Sequence, residues 1–404
     1  MVLGAGAIAC AAADGRTETE PVADVIVRPA VVRLRAGEGA QLSAQVNDST
    51  GRAIGGADLT FATPSPRMVR VSPSGAVSSL GPVGEGTITV ASGSTHRMVR
   101  VVVAAGVATA ARISSGGAQA GEVGSTLAEP VVVTISDAFG NLVPRAAVSF
   151  EAAGGGAADP ASATTDATGV ARTVWTLGET AGPQTLRATA ADASVIVEAV
   201  AASGRMTSIE QVGAVVRRTS AGDTVPIRLR VADRHGNGVA GVVVAFAVER
   251  GGGMVAPARV ETGVDGLAQT LWTTGTTAGL NALRVRAIDV RDTTVLVDLR
   301  THGGAAASVQ LVRGGGQRAV AGNPVAVVPT VRVIDAHGNV VSAARVRFAA
   351  SAGGVVEPPE AVTDESGQTR VSRWVLGSAG ENVLSVIVDG VADTLQVTAL
   401  ARPR

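Results

Sequence analysis

The sequence predicts an all-β protein, a tandem array of four β-sandwich domains, and three observations lead to this prediction. First, the composition favours strands and turns: hydrophobic residues make up 46% of the chain, 51 of its 404 residues are Gly, and Val is abundant. Second, short apolar or alternating runs are separated by turn signals, about every 8–15 residues. Third, a set of motifs occurs three times at nearly constant spacing.

The first element is a short apolar stretch, Met1 to Ala9, that leads to Cys10, the only cysteine. It resembles the end of a bacterial lipoprotein signal, although no basic residue precedes Arg16 as a complete signal would require. We interpret residues 1–23 as a truncated signal-like segment and tether, with Cys10 as the candidate lipidation site. The alternative is an unstructured stub. A single cysteine permits no disulfide within the chain.

The second element, residues 24–105, has strand and turn signals but lacks the repeated motifs. The segments that characterise it include Asp48–Gly51, Val69–Val71 and Gly84–Val90. This N-terminal segment resembles the group-two bacterial immunoglobulin-like domain.

Three copies of one design follow, at residues 106–203, 204–302 and 303–404. The turn motif Asp-x-x-Gly-Asn marks each copy, with spacings of 96 and 102 residues: Asp137, Gly140 and Asn141; Asp233, Gly236 and Asn237; Asp335, Gly338 and Asn339. A Phe lies 13 residues after each Asp: Phe150, Phe246 and Phe348. A Trp lies 38 or 39 residues after each Asp: Trp175, Trp272 and Trp374. We interpret these as structural repeat positions.

Each copy has the pattern of an immunoglobulin-like sandwich, with about seven short strands in roughly 95 residues. The strands predicted in the first copy are 131–136, 148–152, 162–165, 170–177, 185–190 and 194–199.

Residues 109–404 resemble the group-one bacterial immunoglobulin-like domains of invasin and intimin stalks. The resemblance rests on the repeated turn and, in the first copy, on Ala161–Asp166, Gly169–Ala171 and Trp175–Gly178. The third copy departs most, at Ser372–Gly377. The family implies a non-enzymatic stalk. Invasin-type proteins also carry a β-barrel and a lectin-like tip, to which the resemblance does not extend, so it implies no receptor binding.

Charge and hydropathy exclude two classes of partner. The chain has 34 basic residues, all Arg, and 34 acidic residues, with no long run of one sign. Nucleic-acid binding generally needs a concentrated basic surface, so we predict none. No stretch of about 18 apolar residues occurs, so we expect membrane contact only through a lipid anchor at Cys10.

The sequence offers no constellation for catalysis, a cofactor or a metal. An active site is normally unique, whereas the most distinctive polar residues here occur three times, so we assign the three Asp residues to turn closure. The four His residues form no metal-ligand motif. Bound calcium is an alternative, but the acidic pairs Asp289 with Asp292 and Asp389 with Asp393 reproduce no calcium loop.

Carbohydrate binding depends on where the aromatic side chains lie. Of eight aromatic residues, six fill the repeated Phe and Trp positions, which leaves Phe61 and Phe139. The strand face that carries Trp175 also carries Thr173, so the pattern alone does not decide whether the Trp is buried. Exposed Trp residues would favour sugar binding by stacking on their rings, and buried Trp residues would not be available for it.

The resulting hypothesis is a cell-surface or exported stalk, in adhesion or envelope architecture, with a lipoprotein of the outer membrane as one form. Four end-to-end domains would form a rod on the order of 130–160 Å long. The alternative is a module that binds a polysaccharide or protein at the cell surface through inter-strand loops.

Overall fold

The computed structural model describes residues 21–288, 290 and 294–404, and in these residues it is all-β without a helix. No part of this region forms a helix that is both long and apolar enough to span a membrane. The buried side chains form four separate core clusters, which lie within residues 25–103, 108–201, 209–299 and 325–401. Contacts between residues divide the chain into two compact units, with the boundary between Ala202 and Ser203.

The N-terminal segment contains nine strands: β1 (Asp24–Arg28), β2 (Val31–Arg35), β3 (Gly39–Gln41), β4 (Ser43–Asn47), β5 (Thr60–Ala62), β6 (Val69–Val71), β7 (Ala76–Ser79), β8 (Gly84–Ser92) and β9 (Thr95–Ala104). They form sheets of order β2-β9-β8-β5, β3-β7-β6 and β1-β4. Residues 84–90 form part of β8, which pairs antiparallel with β9 along its whole length.

The first copy also contains nine strands: β10 (Ala108–Ser115), β11 (Gln119–Glu122), β12 (Val131–Asp137), β13 (Ala147–Ala152), β14 (Ala157–Asp159), β15 (Ser162–Thr164), β16 (Val170–Thr176), β17 (Gly182–Ala190) and β18 (Ala193–Ala202). A four-stranded sheet, β10-β12-β16-β14, contributes Val131 and Trp175 to the core. A five-stranded sheet, β11-β18-β17-β13-β15, contributes Phe150 and Leu186. Its edge strand β11 runs parallel to β18, whereas the other pairs are antiparallel.

The second copy repeats this topology strand for strand: β19 (Met206–Gln211), β20 (Arg218–Ser220), β21 (Thr224–Asp233), β22 (Val243–Arg250), β23 (Gly253–Ala256), β24 (Arg259–Glu261), β25 (Leu267–Thr274), β26 (Gly279–Ala287) and β27 (Val295–His302). Its sheets have the orders β19-β21-β25-β23 and β20-β27-β26-β22-β24.

The third copy has the same connectivity with one strand divided: β28 (Ala306–Arg313), β29 (Gln317–Val320), β30 (Thr330–Asp335), β31 (Arg345–Ala350), β32 (Val355–Glu357), β33 (Glu360–Val362), β34 (Gln368–Arg370), β35 (Arg373–Val375), β36 (Gly380–Val388) and β37 (Leu395–Arg402). Its sheets are β28-β30-β34, β32-β35 and β29-β37-β36-β31-β33. The strand that carries the Trp in the other copies is thus split into β34 and β35.

The division has a simple cause, which is one extra residue. In the first two copies a buried residue precedes the Trp by two positions, Thr173 before Trp175 and Thr270 before Trp272. In the third copy the nearest buried residue, Val371, precedes Trp374 by three, and Ser372 and Arg373 between them are exposed. Since strand side chains alternate between faces, the extra residue must be absorbed by a bulge if Trp374 is to reach the core.

The structure has nine or ten strands per copy where the sequence predicted about seven. The additional strands in the first copy are β10, β11 and β14. The short strands β11 and β14 bury no side chain, so the alternation of apolar and polar residues that identifies a strand is absent from them.

Candidate functional site

The repeated Asp closes its turn with one carboxylate oxygen. Asp137 is the last residue of β12, and its Oδ1 accepts hydrogen bonds from the N–H groups of Phe139 and Asn141, both at 2.9 Å. Asp233 and Asp335 accept the equivalent pairs of bonds at 2.8–2.9 Å. This geometry is that of an Asp whose side chain hydrogen-bonds its own turn.

The second carboxylate oxygen holds the linker that precedes the copy. Asp137 Oδ2 accepts hydrogen bonds from Asn141 Nδ2 and from the N–H of Gly106, both at 2.8 Å. The other two copies repeat the linker bond at 2.9 Å, from Gly204 to Asp233 and from Gly304 to Asp335. The sequence predicted the turn but missed the linker glycines, which lie 29–31 residues before each Asp.

These carboxylates are buried and charged. Asp137, Asp233 and Asp335 are only 3–5% exposed. Burial alone would raise the pKa, but the hydrogen bonds from the turn Asn and from backbone N–H groups outweigh it and lower the pKa of all three. For Asp233 and Asp335 the pKa falls to about 2. Each turn is therefore built around an ionised carboxylate.

The repeated Asn reaches back to the preceding segment within each compact unit. Asn141 Nδ2 donates to the carbonyl oxygen of Gly81, in the N-terminal segment, at 2.7 Å. Asn339 Nδ2 donates to the carbonyl of Thr276, in the second copy, at 2.7 Å, and Asn339 Oδ1 accepts from the N–H of Ala278 at 2.8 Å. One turn thus contacts its own copy, the linker and the preceding sandwich. We call this arrangement the joint lock.

In the first unit, Phe139 adds an apolar contact to the joint lock. A Cβ atom placed on Gly81 would lie 2.6 Å from the Phe139 ring, and one placed on Gly37 would lie 3.0 Å from it. Both glycines have positive φ, 126° and 85°. The ring therefore lies directly on the backbone of the N-terminal segment, although 51% of Phe139 remains exposed. The sequence alone does not predict this contact.

The repeated Phe and Trp side chains lie in the cores. The three Trp residues are 0% exposed, and the three Phe residues are 3–4% exposed. Thr173, beside Trp175 on the buried face, donates its hydroxyl proton to the carbonyl of Pro160 at 2.8 Å, so this polar residue is accommodated. Phe61 packs half-buried against the N-terminal core. The Trp residues therefore provide no platform for stacking a sugar.

Glycine permits the close backbone contact beside each Trp strand. A Cβ atom on Gly275, after β25, would lie 1.8 Å from the carbonyl oxygen of Gly251. A Cβ atom on Gly178 would lie 2.1 Å from the carbonyl oxygen of Gly154, and one on Gly377 would lie 1.9 Å from that of Ala352. No side chain fits at such distances, which explains the Gly after the Trp strand in each copy.

The remaining candidates do not assemble into a chemical site. In the described residues no group of three or more His, Cys, Asp and Glu side chains is placed to hold a metal ion. Asp389 forms an ion pair with Arg347, and Asp393 is exposed. Cys10, Asp289 and Asp292 lie outside the described residues.

The fold is similar to that of solved bacterial adhesins. The structure of FdeC, an Escherichia coli adhesin, is 21% identical to the chain, covers 72% of it and is itself 96% covered, with a TM-score of 0.51. Invasin, an integrin-binding bacterial protein, is 20% identical, with coverages of 72% and 60% and a TM-score of 0.41. InvD of Yersinia pseudotuberculosis is 16% identical, with coverages of 70% and 94% and a TM-score of 0.41.

No protein-family model matches the chain, and no curated protein matches it. The similarity to FdeC confirms the predicted fold, an all-β array of tandem immunoglobulin-like sandwiches, and the resemblance to the bacterial adhesin repeats.

Proposed function

We propose that this chain is a non-enzymatic stalk, exposed on a bacterial cell or exported from it, that serves adhesion or envelope architecture. Its fold is that of tandem adhesin repeats, of which FdeC is an example. The proposed division is a tether at 1–23, a group-two-like domain at 24–105 and group-one-like domains at 106–203, 204–302 and 303–404. The four core clusters support this division.

The joint lock is the observation that carries the proposal. The most distinctive polar residues of the sequence, the repeated Asp and Asn, are occupied by hydrogen bonds to a turn, a linker and, in each compact unit, a neighbouring sandwich. Such bonds restrict bending at the joints, which a spacer needs and an enzyme does not. A protein whose repeated polar residues hold its domains together is best suited to act as a spacer.

The location is tested by fractionating native cells and treating intact cells with protease. We expect the protein in the envelope or medium and, if it is on the cell, its degradation while a cytoplasmic marker survives. Recovery in the cytoplasmic fraction with protection from protease would contradict the proposal.

The anchor is tested separately, because a stalk can be secreted or held by other means. Cells expressing the native gene are fed a palmitate analogue, and Cys10→Ser serves as the matched control. Label on the wild type alone would support lipidation at Cys10, and absence of label on both would remove the anchor without removing the stalk.

The second candidate function is binding of a polysaccharide or protein partner. The observation that favours it is a cleft lined by arginine in the first compact unit. A glycan array with the purified full chain tests the saccharide form, and an absence of bound glycans would dismiss it.

A further inference from the structure

A cleft of about 480 Å³ lies where the N-terminal segment meets the first copy. This volume is in the range of small-molecule sites. Seven alanines and the backbone of the linker form most of its walls, so the space results from small side chains. Two residues supply its charge, Arg35 at the end of β2 and Arg145 before β13. None of the residues that line it is acidic.

Both arginines are exposed and make no ion pair among the described residues. Glu38 accepts a hydrogen bond from the backbone N–H of Arg35, but its side chain does not line the cleft. Two guanidinium groups are thus available to a ligand. Guanidinium binds carboxylate and sulfate oxygens through paired hydrogen bonds.

Arg145 occupies a backbone position that disfavours a large side chain. Its φ is 57°, in the left-handed region. The same position in the other copies is identified by a shared hydrogen bond: the N–H groups of Arg145, Gly241 and Ala343 donate to the carbonyls of Thr165, Thr262 and Thr363. The second copy meets the requirement for positive φ with glycine, which adopts it without strain. The third copy has Ala343 there, with a φ of 58°, so the positive φ belongs to the position, and the charged side chain at the cleft is what distinguishes the first copy.

Arg35 is also particular to this joint. The residue after it, Ala36, donates its N–H to the carbonyl of Ala104, and Ala221 makes the same bond to His302 in the second unit. Ser220 therefore occupies the position of Arg35 there. The cleft at that joint, about 290 Å³, is lined by Asp223, Asp335 and His337. That cleft shares with the first one only the linker and the position of Arg35. The second joint nevertheless forms with Ser220 and Ala343 at the positions of Arg35 and Arg145, so the folding of the joint does not require the arginines.

We propose that the cleft between the N-terminal segment and the first copy binds an acidic saccharide, a sugar carrying a carboxylate or sulfate group, through Arg35 and Arg145. The arginines would receive the oxyanion, and the Ala-lined walls leave room for the sugar ring. The cleft has no aromatic lining residue, so recognition would rest on charge rather than on stacking. This inference deepens the second candidate function and is independent of the stalk.

The test is calorimetry with the purified full chain at low ionic strength. The probes are a glucuronic acid oligosaccharide, a sulfated disaccharide, a neutral disaccharide and inorganic sulfate. We expect at least one acidic sugar to bind, the neutral sugar and inorganic sulfate to bind at least tenfold more weakly, and affinity to fall as salt is added. Binding of inorganic sulfate as tightly as the sugars would overturn the saccharide assignment, and absence of binding by all probes would overturn the site.

The variants are chosen from the second joint. Arg35→Ser and Arg145→Ala introduce the residues found there, and each should reduce affinity at least tenfold without lowering Tm. Arg145→Gly should likewise reduce affinity at least tenfold, and its Tm should not fall because glycine adopts the positive φ without strain. Arg70→Ser, which removes an exposed arginine outside the cleft, is the control. Equal loss with Arg70→Ser, or unchanged affinity in the two cleft variants, would refute the proposal. Either result would leave the stalk proposal standing.

Discussion

At the scale of the residue, a single aspartate performs two separable tasks, and the chain contains its own control. Asp335 closes a turn and also holds linker Gly304. Asp364, in the same copy, closes a turn by accepting hydrogen bonds from Ser366 and Gln368. A comparison of the two carboxylates separates turn closure from the additional contacts of the buried Asp335 Oδ2 with linker Gly304 and with the Asn339 side chain.

We expect Asp335→Ala to lower the free energy of unfolding by about 2–3 kcal/mol, because it leaves buried N–H groups unpaired. Asp364→Ala, at an exposed turn, should lower it by much less, because water can replace the lost hydrogen bonds. Denaturant titration measures both. Equal losses would mean that turn closure accounts for the whole effect and that the linker bond contributes nothing.

These carboxylates make the folded protein less stable as the pH falls. The pKa of Asp233 and Asp335 is about 2 in the folded protein, below the ordinary value of 3.8. The stabilisation is therefore complete above about pH 4 and is lost as the pH falls through about 2, on the order of 2 kcal/mol for each carboxylate. Denaturation followed between pH 5 and 2 should show this loss. Asp335→Asn should reduce the loss by one carboxylate's share, and an unchanged profile would contradict the assignment.

Part of the residue-scale site was predictable from sequence, and part was not. Asp137 and Asn141 were found because they recur, and a turn was inferred because Asp and Asn have known turn chemistry. Their bonds to Gly106 and Gly81 were missed. These bonds join atoms 31 and 60 residues apart, and one partner in each is a main-chain group, which has no sequence signature.

At the scale of the element, the strand that carries the Trp shows which insertions and deletions a strand tolerates when its side chains alternate between two faces. In the first copy, Ala171, Thr173, Trp175 and Leu177 alternate without interruption and are all buried. In the third copy the bulge at Ser372 absorbs one extra residue between Val371 and Trp374.

Deletion of Ser372 should therefore be tolerated, because it restores an uninterrupted alternation from Val371 to Leu376. Deletion of Val174 in the first copy should prevent that copy from folding, because it turns Trp175 toward solvent. Thermal denaturation followed by circular dichroism compares the two. A larger loss of Tm for the Ser372 deletion than for the Val174 deletion would show that the bulge is not a simple insertion.

At the scale of the whole molecule, we expect the joint lock to slow cleavage of the linker by protease within each unit. In the first unit, Phe139 and Asn141 both contact the N-terminal segment, across a linker that is rich in alanine. Neither residue belongs to a core cluster, so their removal should loosen the joint and leave the sandwiches folded.

The double variant Phe139→Ala with Asn141→Ala should accelerate cleavage by elastase, which cuts after small residues, within Ala104–Ala108. The main thermal transition should shift by less than a few degrees. Gel analysis of timed digests measures the rate, and Phe61→Ala, which removes an aromatic packed against a core, is the comparison. If the joint were cleaved no faster in the double variant, the lock would not limit opening.

The placement of the lock has a consequence for how such chains change in length. Each copy carries its own Asp and Asn, and the groups that they bind in the linker and, within each compact unit, in the preceding sandwich are main-chain carbonyls and N–H groups. These main-chain acceptors and donors are present whichever side chains occupy those positions. A duplicated copy would therefore include the Asp and Asn that attach it. Recombination between repeats could then lengthen or shorten the array without a compensating substitution elsewhere.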